Sequence, residues 1–482
     1  MCVAGFAATV RLMTTTVELP LWLLIVILLF AAVTFASHFL FPSVRWFFRR
    51  RLEKVVAKVN ERLERPIEPF KLARRHDMIQ RLIYDPAVTR AVAAHAKDSG
   101  IPENVAFEEA RRYAREIVPS FSASAYFGVA IRLAKLLSNA LYRVRLGYQD
   151  EDALKSLDPD ATVVFVINHR SNMDYVLVTY LAAERSALSY AVGEWARVWP
   201  LSGLIRAMGA YFIRRKSRNE LYRCVLARYV GLATNGGVTQ AMFPEGGLSL
   251  DGALKPAKLG LLKYISDGFT DGDRDVVFVP VALNYDRVLE DRILIAAGDA
   301  GERRFRARIS VVAGFALKQV WLRLTGRFHR FGYAAVSFGS PLSLAQFSAG
   351  KKGDIAASLG AELMRRIGNV VPVLPVPLVA HVLQGGAPMD RAELERSVSG
   401  LLAQLGDAYV HLPRNNRDYA VEVGVRHLAE RGIVIEKDGL FHTPEAQLSA
   451  LAYYANSIRH LVPKDGPVLS ADAKEISATA GS

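Results

Sequence analysis

The sequence predicts an α/β protein in which a mostly parallel sheet is flanked by helices. The clearest indication is Ala161–Ile167 (ATVVFVI), a short, largely β-branched run typical of a strand buried on both faces. Later apolar runs of similar length alternate with amphipathic stretches, a pattern that favours parallel pairing with helical crossovers. These further predicted strands are residues 210–213, 240–243, 276–283, 308–312 and 334–338.

Helical periodicity dominates on both sides of this middle part. Before it, arginine, glutamate, alanine and leucine recur at helical spacing in Leu52–Leu63, Arg74–Ala96 and Phe107–Tyr148. After residue 345 the helical pattern returns. We therefore predict five regions. They are a transmembrane anchor (19–41), a helical N-terminal region (52–148), an α/β domain (150–345), a helical C-terminal region (346–462) and a disordered tail (463–482).

The segment Leu19–Phe41 is apolar and contains no acidic or fully charged residue. A helix of that length rises about 35 Å, which is enough to cross a hydrocarbon layer of ~30 Å. Arg45 and Arg49–Arg51 follow it, so the positive-inside rule places the rest of the chain on the cytoplasmic side of the inner membrane. A signal peptide or a buried core helix is the alternative, but the charge follows the apolar run and no cleavage site stands out.

The net charge of +14 favours an anionic partner, which could be nucleic acid, acidic lipid or a phosphorylated substrate. The chain shows no aromatic-plus-basic RNA-binding signature, so no nucleic acid is expected. Beside a membrane anchor, attraction to anionic phospholipid is the simpler interpretation. Cys2 and Cys224 form neither a metal-ligand spacing nor a disulfide framework, and we predict no metal site.

The residues best suited to catalysis are His169 and Asp174, which come just after the first predicted strand. A carboxylate that accepts a hydrogen bond from one imidazole nitrogen fixes the tautomer and stabilises the imidazolium. Such a pair can deprotonate a hydroxyl, whose oxygen can then attack a thioester. The spacing alone is weak evidence, because His460 and Asp465 have the same separation.

Three further clusters follow later predicted strands in the same manner. Taken singly, each is compatible with solvated charge, an ordinary turn or an edge strand. Four strand-terminal clusters in succession instead favour one shared site. The three clusters are Arg214 and Arg215, then Glu245, Gly246 and Gly247, and then Pro280 with Tyr285 and Arg287 beyond it.

The order of the four clusters resembles the glycerolipid acyltransferases that share an H-x-x-x-x-D box. Their boxes read HRSxxD, GxxFIxR, FPEGxxS and V-P-V, and this chain has HRSNMD, GAYFIRR, FPEGGLS and VPV. Beyond the boxes, the chain is most similar to the bacterial membrane-bound glycerol-3-phosphate acyltransferases. The similar segments are YDPAVTRAVAAHA, VVPVLPVPLVAHVL and AYYANSIRHL, and the resemblance extends over residues 60–462.

The resemblance implies that His169 is the catalytic base and that Asp174 orients it. It also implies an acceptor site containing Arg214, Glu245 and Gly246, and a Pro280 that shapes the acyl side. Related enzymes often have arginines where this chain has Leu248 and Leu250. If those arginines hold phosphate, other cations must replace them here. The candidates are Arg214, Arg215, Lys216, Lys255, Lys258 and Arg287.

The reaction implied is transfer of a fatty acyl group from acyl-CoA or acyl carrier protein to glycerol 3-phosphate, without a metal or cofactor. The alternative acceptors are 1-acylglycerol 3-phosphate and dihydroxyacetone phosphate. A different alternative is a membrane-anchored protein that binds anionic lipid or nucleic acid without turnover. The patterns G-x-S-x-G, Walker A and H-E-x-x-H are absent, which argues against serine hydrolase, P-loop and zinc-protease chemistries.

Overall fold

The computed structural model divides the chain into two units, residues 1–62 and 63–482. In the first unit, residues 21–32 form a helix. Among the described residues, no helix combines the length and apolarity needed to cross a bilayer. Residues 19, 33 and 35–41 of the predicted anchor, and the predicted tail beyond Pro463, lie outside that part. The described residues are 20–32, 34, 56–73, 75–182, 186–193, 201–214, 219–270, 272, 274–301, 330–351 and 353–463.

The second unit begins with a layer of helices, as the periodicity predicted. In the helix Glu103–Ile117, buried residues recur at Ala106, Ala110, Tyr113 and Ile117, so one stripe of the helix faces the core. The π-helical segment Ser124–Ala130 continues directly into the helix Ile131–Leu141. The helices of this layer are α1 (Pro69–Leu72), α2 (Arg75–Ile83), α3 (Pro86–Ser99), α4 (Glu103–Ile117) and α5 (Ile131–Leu141).

Eight strands of the described chain form one mixed sheet. They are β1 (Arg143–Gln149), β2 (Thr162–Ile167), β3 (Ser189–Gly193), β4 (Tyr211–Ile213), β5 (Gln240–Met242), β6 (Val276–Tyr285), β7 (Tyr333–Phe338) and β8 (Leu342–Ser343). Their order in the sheet is β1-β7-β6-β2-β5-β3-β4, with β8 pairing β6. From β6 to β4 all neighbouring strands are parallel, whereas β7 and β8 run antiparallel to β6.

Helices connect these strands and build the C-terminal part, which also contains a hairpin of β9 (Ile435–Lys437) and β10 (Leu440–His442). The connecting helices are α6 (Glu151–Lys155), α7 (Met173–Leu181), α8 (Leu201–Ala207), α9 (Glu220–Asn235), α10 (Gly260–Ser266) and α11 (Asp291–Asp299). The later helices are α12 (Leu344–Ser348), α13 (Ala356–Asn369), α14 (Pro375–Leu383), α15 (Arg391–Gln404), α16 (Arg417–Ala429) and α17 (Leu448–Ala455).

The predicted α/β fold with a mostly parallel sheet and flanking helices is confirmed. The predicted strands at 161–167, 210–213, 240–243, 276–283 and 334–338 are all present, with bounds that differ by at most two residues. The helical prediction for Phe107–Tyr148 is wrong at its end, where β1 pairs with β7. Strand β3 was not predicted, and residues 308–312 lie outside the described part. The five-region division stays a prediction.

Both faces of β2 are buried, which explains its uninterrupted apolar sequence. Val163, Phe165 and Ile167 pack into a core shared with α14 and α17, while Val164 and Val166 pack into a second core shared with α9 and the N-terminal helices. This alternation is the two-residue period of a strand. The carboxyl end of β2 is therefore held between two packed layers.

Candidate active site

The candidate site lies where β2 and β5 end beside β6. Val166 pairs with both Met242 and Pro280, so the segments that follow β2 and β5 leave the sheet at the same edge. Asn168 then extends the ladder with its side chain: Nδ2 donates to the Leu283 carbonyl at 3.0 Å, and Oδ1 accepts from the Leu283 N–H at 2.7 Å. These bonds fix the position of the following residue, His169.

The structure brings His169 and Asp174 together. Nδ1 of His169 lies 2.9 Å from Oδ2 of Asp174, and the two residues are 1% and 0% exposed. Because a carboxylate accepts hydrogen bonds, Nδ1 is the donor and carries the proton. Nε2 is left without a hydrogen-bond partner among the described residues, so it is the nitrogen that can take a proton from another molecule.

Asp174 lies in the first turn of α7, where the preceding loop folds over its carboxylate. Oδ2 also accepts from the backbone N–H groups of Arg170 at 2.7 Å and Ser171 at 3.0 Å. Oδ1 accepts from the Tyr285 hydroxyl at 2.6 Å. Burial is the main cause that raises the pKa of Tyr285 well above its usual value, and the charge of Asp174 is the second. The phenol therefore keeps its proton and donates it in the hydrogen bond to Asp174.

Glu245 holds the backbone of His169. Its Oε1 accepts from the His169 N–H at 2.9 Å, and its Oε2 accepts from the Lys255 N–H at 3.2 Å. The next residue, Gly246, has a φ of +65°, and a Cβ there would lie 2.6 Å from Cδ of Lys258, so glycine fits this turn. Gly247, the next residue along the chain, is half-buried. Glu245 thus fixes the position of the His169 peptide group.

The Glu245 carboxyl has a consequence for stability. Burial raises its pKa from 4.5 to about 7, against the lowering effect of its two backbone donors. Between these pH values the folded protein retains a proton that the unfolded chain has released, so the free energy of unfolding falls as pH rises, by up to about 1.4 kcal/mol per pH unit. We expect Glu245→Gln to remove this contribution.

Urea unfolding below and above this pH window checks the prediction. Asp286, whose pKa is also raised to about 7 by burial, contributes equally to both proteins and cancels in the difference. If the free energy of unfolding changed with pH in the same way in the wild type and in Glu245→Gln, the raised pKa of Glu245 would be contradicted.

A second buried carboxylate supports the loop between β2 and α7. Glu290 accepts from the Ser171 hydroxyl at 2.8 Å and from the Asn172 backbone N–H at 2.7 Å. Its neighbour Asp291 pairs with Arg431, beside the hairpin of the C-terminal part, at 2.5 Å. Adjacent carboxylates at the start of α11 therefore connect the loop after His169 with the C-terminal helices.

Aromatic rings enclose the imidazole. The ring of Phe243 stacks on that of His169 with centroids 4.1 Å apart, and Tyr175 meets it edge-on at 5.6 Å. Arg170 is buried, and its guanidinium lies 5.2 Å from the Tyr453 ring centroid. The imidazole therefore has an apolar wall on one face, suited to a hydrocarbon neighbour.

Arg214, predicted to contact the acceptor, is already paired. Its Nε and Nη2 bind the two carboxylate oxygens of Glu116, on α4, at 2.8 and 2.6 Å. The Arg214 side chain is 32% exposed, so it keeps a face open to solvent. Arg215 and Lys216 lie outside the described residues.

The other predicted cations have their own partners. Lys255 Nζ pairs with Asp251 at 2.5 Å. Arg287 lies over the ring of Phe331 at 4.3 Å, and burial lowers its pKa. The structure therefore assembles His169, Asp174 and Glu245 directly, whereas the predicted phosphate-binding cations are held in separate contacts.

The two leucines that replace arginines in the third box have an apolar environment. Leu248 and Leu250 are partly buried and pack against the core cluster on the α14 face of the sheet. They thus contribute to the packing beneath the turn, and a phosphate bound in this protein must rely on cations from other segments.

Pro280 lies inside the sheet, and the structure shows how it is accommodated. Its carbonyl accepts from the Gly339 N–H at 2.8 Å. The pairing of β6 with β7 ends where Val281 lies opposite Phe338, and the pairing of β6 with β8 includes Phe278 opposite Leu342. Pro280 therefore faces the link between β7 and β8, where the missing N–H breaks no ladder bond. Its predicted role beside the acyl group stays a prediction.

Sequence reasoning gave Tyr285 no role and did not identify Glu290 or Glu116. Tyr285 was noted just beyond the predicted strand 276–283, a position that is a usable signal for a residue near the sheet edge. Glu290 and Glu116 carried no such signal, because each reaches its partner across the tertiary structure from a different segment.

Comparison with known proteins agrees with the geometry. A family model described as Acyltransferase matches residues 147–284, and one described as glycerol-3-phosphate acyltransferase C-terminal region matches residues 321–471. The glycerol-3-phosphate acyltransferase of Pseudomonas entomophila (strain L48) is 27% identical over 431 residues, which are 83% of this chain and 50% of that protein. That of Shewanella woodyi (strain ATCC 51908 / MS32) is 28% identical over 427 residues, 81% of this chain and 51% of that protein.

The chain thus spans about half the length of the curated relatives that it matches. The crystal structure of the 1-acyl-sn-glycerophosphate (LPA) acyltransferase from Thermotoga maritima aligns with a TM-score of 0.30 and 17% identity, covering 58% of this chain and 93% of that one. Through the two family models and the curated relatives, the chain is therefore similar to the bacterial glycerol-3-phosphate acyltransferases.

Proposed function

We propose that the protein transfers a fatty acyl group from an acyl thioester to a hydroxyl of glycerol 3-phosphate, forming lysophosphatidate. The observation that carries this proposal is the buried pair of His169 and Asp174, with Nε2 available, within the residues that the Acyltransferase model matches. The acyl donor is acyl-CoA or acyl carrier protein. The relatives are named glycerol-3-phosphate acyltransferases, which supports this choice of acceptor.

In the proposed reaction, Nε2 of His169 removes the proton of the acceptor hydroxyl as its oxygen attacks the thioester carbonyl. A carbon–oxygen bond forms, the carbon–sulfur bond breaks, and the departing sulfur takes the proton from the imidazolium. Asp174 stabilises the imidazolium between these steps through Nδ1. Glu245 holds the His169 peptide, so its role is positioning.

We also propose that the protein is anchored in the inner membrane through residues 19–41, with the catalytic part on the cytoplasmic side. The apolar sequence of that segment and the arginines that follow it support the anchor. A membrane location suits the reaction, because lysophosphatidate carries an acyl chain that partitions into the bilayer.

The deciding assay gives the purified protein a long-chain acyl thioester and, separately, each of three acceptors. We expect glycerol 3-phosphate to be acylated most efficiently by kcat/KM. The other two acceptors are 1-acylglycerol 3-phosphate and dihydroxyacetone phosphate. Preference for that lipid or for dihydroxyacetone phosphate would reassign the acceptor. Salt-dependent vesicle binding without any turnover would overturn the enzymatic proposal.

Arg214 provides a separate test of phosphate binding. A charge-assisted hydrogen bond contributes about 1.5–3 kcal/mol, so Arg214→Ala should raise the KM for glycerol 3-phosphate by about tenfold or more. The matched control is Arg228→Ala, which breaks another arginine–carboxylate pair, with Asp85 at 2.6 Å. Steady-state kinetics of both variants decide the point. If Arg214→Ala raised the KM for glycerol 3-phosphate no more than Arg228→Ala does, Arg214 would serve only its ion pair with Glu116.

A further inference from the structure

The chain between Glu116 and Asp150 contains no carboxylate side chain. It includes the whole of α5 and of the edge strand β1. Four basic residues lie within it, and each is exposed. They are Arg132, Lys135, Arg143 and Arg145. The segment itself therefore contributes cations to the surface and no carboxylate of its own.

Helix α5 exposes leucines in addition to these charges. Leu133, Leu136 and Leu137 are 42%, 64% and 39% exposed, and their spacing places them on one side of the helix. Ala134 and Ser138 are buried on the opposite side, where the helix contacts the protein. The helix thus has an apolar face turned to solvent as well as one turned to the core. An exposed apolar group of this kind marks an interaction surface.

This face lies beside the catalytic elements. Helix α5 packs along α7, the helix that carries Asp174 in its first turn. The ammonium group of Lys135 lies 6.0 Å from the ring centroid of Tyr180, near the end of α7. A surface that contacts α5 is thus one helix away from the dyad.

We propose that the solvent-facing side of α5 rests on an anionic lipid bilayer. Leu133, Leu136 and Leu137 enter the boundary between headgroups and acyl chains, while Arg132 and Lys135 bind the lipid phosphates. A helix with an apolar side bordered by cations is suited to that boundary. The surface belongs to the folded second unit, so this contact is distinct from the proposed anchor at residues 19–41 and independent of the acceptor.

Charge complementarity favours lipid over a second copy of the chain. If two copies paired symmetrically helix to helix through α5, each helix would bring Arg132 and Lys135 and no carboxylate of its own, and like charges would oppose each other. An anionic membrane supplies the opposite charge together with an apolar interior.

The experiment uses the full chain with Cys2→Ser and Cys224→Ser, and a polarity-sensitive fluorophore on Leu136→Cys. The matched control carries the label on Leu448→Cys, a leucine 48% exposed in the C-terminal part. Both proteins are mixed with vesicles of phosphatidylglycerol and phosphatidylethanolamine containing brominated acyl chains. We expect lipid quenching at position 136 to exceed that at position 448 several-fold. Arg132→Gln and Lys135→Gln should each weaken this local contact about fivefold at low salt.

Equal quenching at the two positions would overturn the proposal, even if the chain binds vesicles through residues 19–41. In the absence of vesicles, shielding of the label at position 136 that increases with protein concentration would also overturn the proposal. It would indicate that a second copy of the chain covers this face. Because quenching requires no turnover, failure here and failure of the proposed reaction are distinguishable.

Discussion

His169→Ala should lower kcat by about 10²–10⁴-fold, the usual contribution of a positioned general base. The loss should appear in kcat, because binding of the acceptor does not depend on a proton at Nε2. A single-turnover assay with saturating acyl thioester and acceptor measures it, and calorimetric titration of the acceptor measures binding. Retained turnover would remove His169 from the reaction.

The chain contains a matched control for this substitution. His460 and Asp465 have the same separation as His169 and Asp174. Nε2 of His460, however, lies 3.1 Å from the Gly368 carbonyl, a partner that gives the ring a structural role. His460→Ala should therefore change stability more than kcat. A comparable loss of kcat in this variant would show that the effect at His169 arises from disturbed packing.

Asp174→Asn should reduce kcat by up to about 10⁴-fold, as expected when the group that orients a catalytic histidine becomes neutral and favours the wrong tautomer. The carboxylate accepts from the N–H groups of Arg170 and Ser171 and from the Tyr285 hydroxyl. An amide has one acceptor oxygen, so its NH₂ group must face a donor. Thermal unfolding, measured beside kcat, separates the loss of stability from the loss of chemistry.

Tyr285→Phe is the conservative comparison, because it removes one donor and preserves shape. Without the phenol, Oδ1 of Asp174 loses a hydrogen-bond donor, while the bond between Nδ1 of His169 and Oδ2 remains. We therefore expect kcat to fall, but by less than in Asp174→Asn, under the same single-turnover conditions. A kcat equal to that of the wild type would show that Tyr285 contributes only packing.

The sequence was most informative where function depends on a short segment. A β-branched run followed by His169 predicts a strand, its end and the position of the base, because each step obeys local rules. Spacing alone could not distinguish this pair from His460 and Asp465. The strand before it and the ordered clusters after it made the difference.

The remainder of the site depends on contacts that no local pattern encodes. The pairing of Arg214 with Glu116 links a strand end to a helix of the N-terminal layer, so the arginine that the boxes assign to phosphate has a protein partner too. Strand β1 looked helical because its exposed edge is polar and basic, and its pairing with β7 decides its conformation. Tertiary pairing overrides propensity in such segments.

His169 and Asp174 are separated by five residues, but the groups that hold them come from far along the chain. Glu245 is 76 residues from His169, and Tyr285 is 111 residues from Asp174. Closing such long loops is an entropic cost that the completed sheet offsets. During synthesis, the dyad therefore lacks its supports until β6 has left the ribosome. A nascent chain that ends before Tyr285 carries both residues of the dyad without the means to fix them.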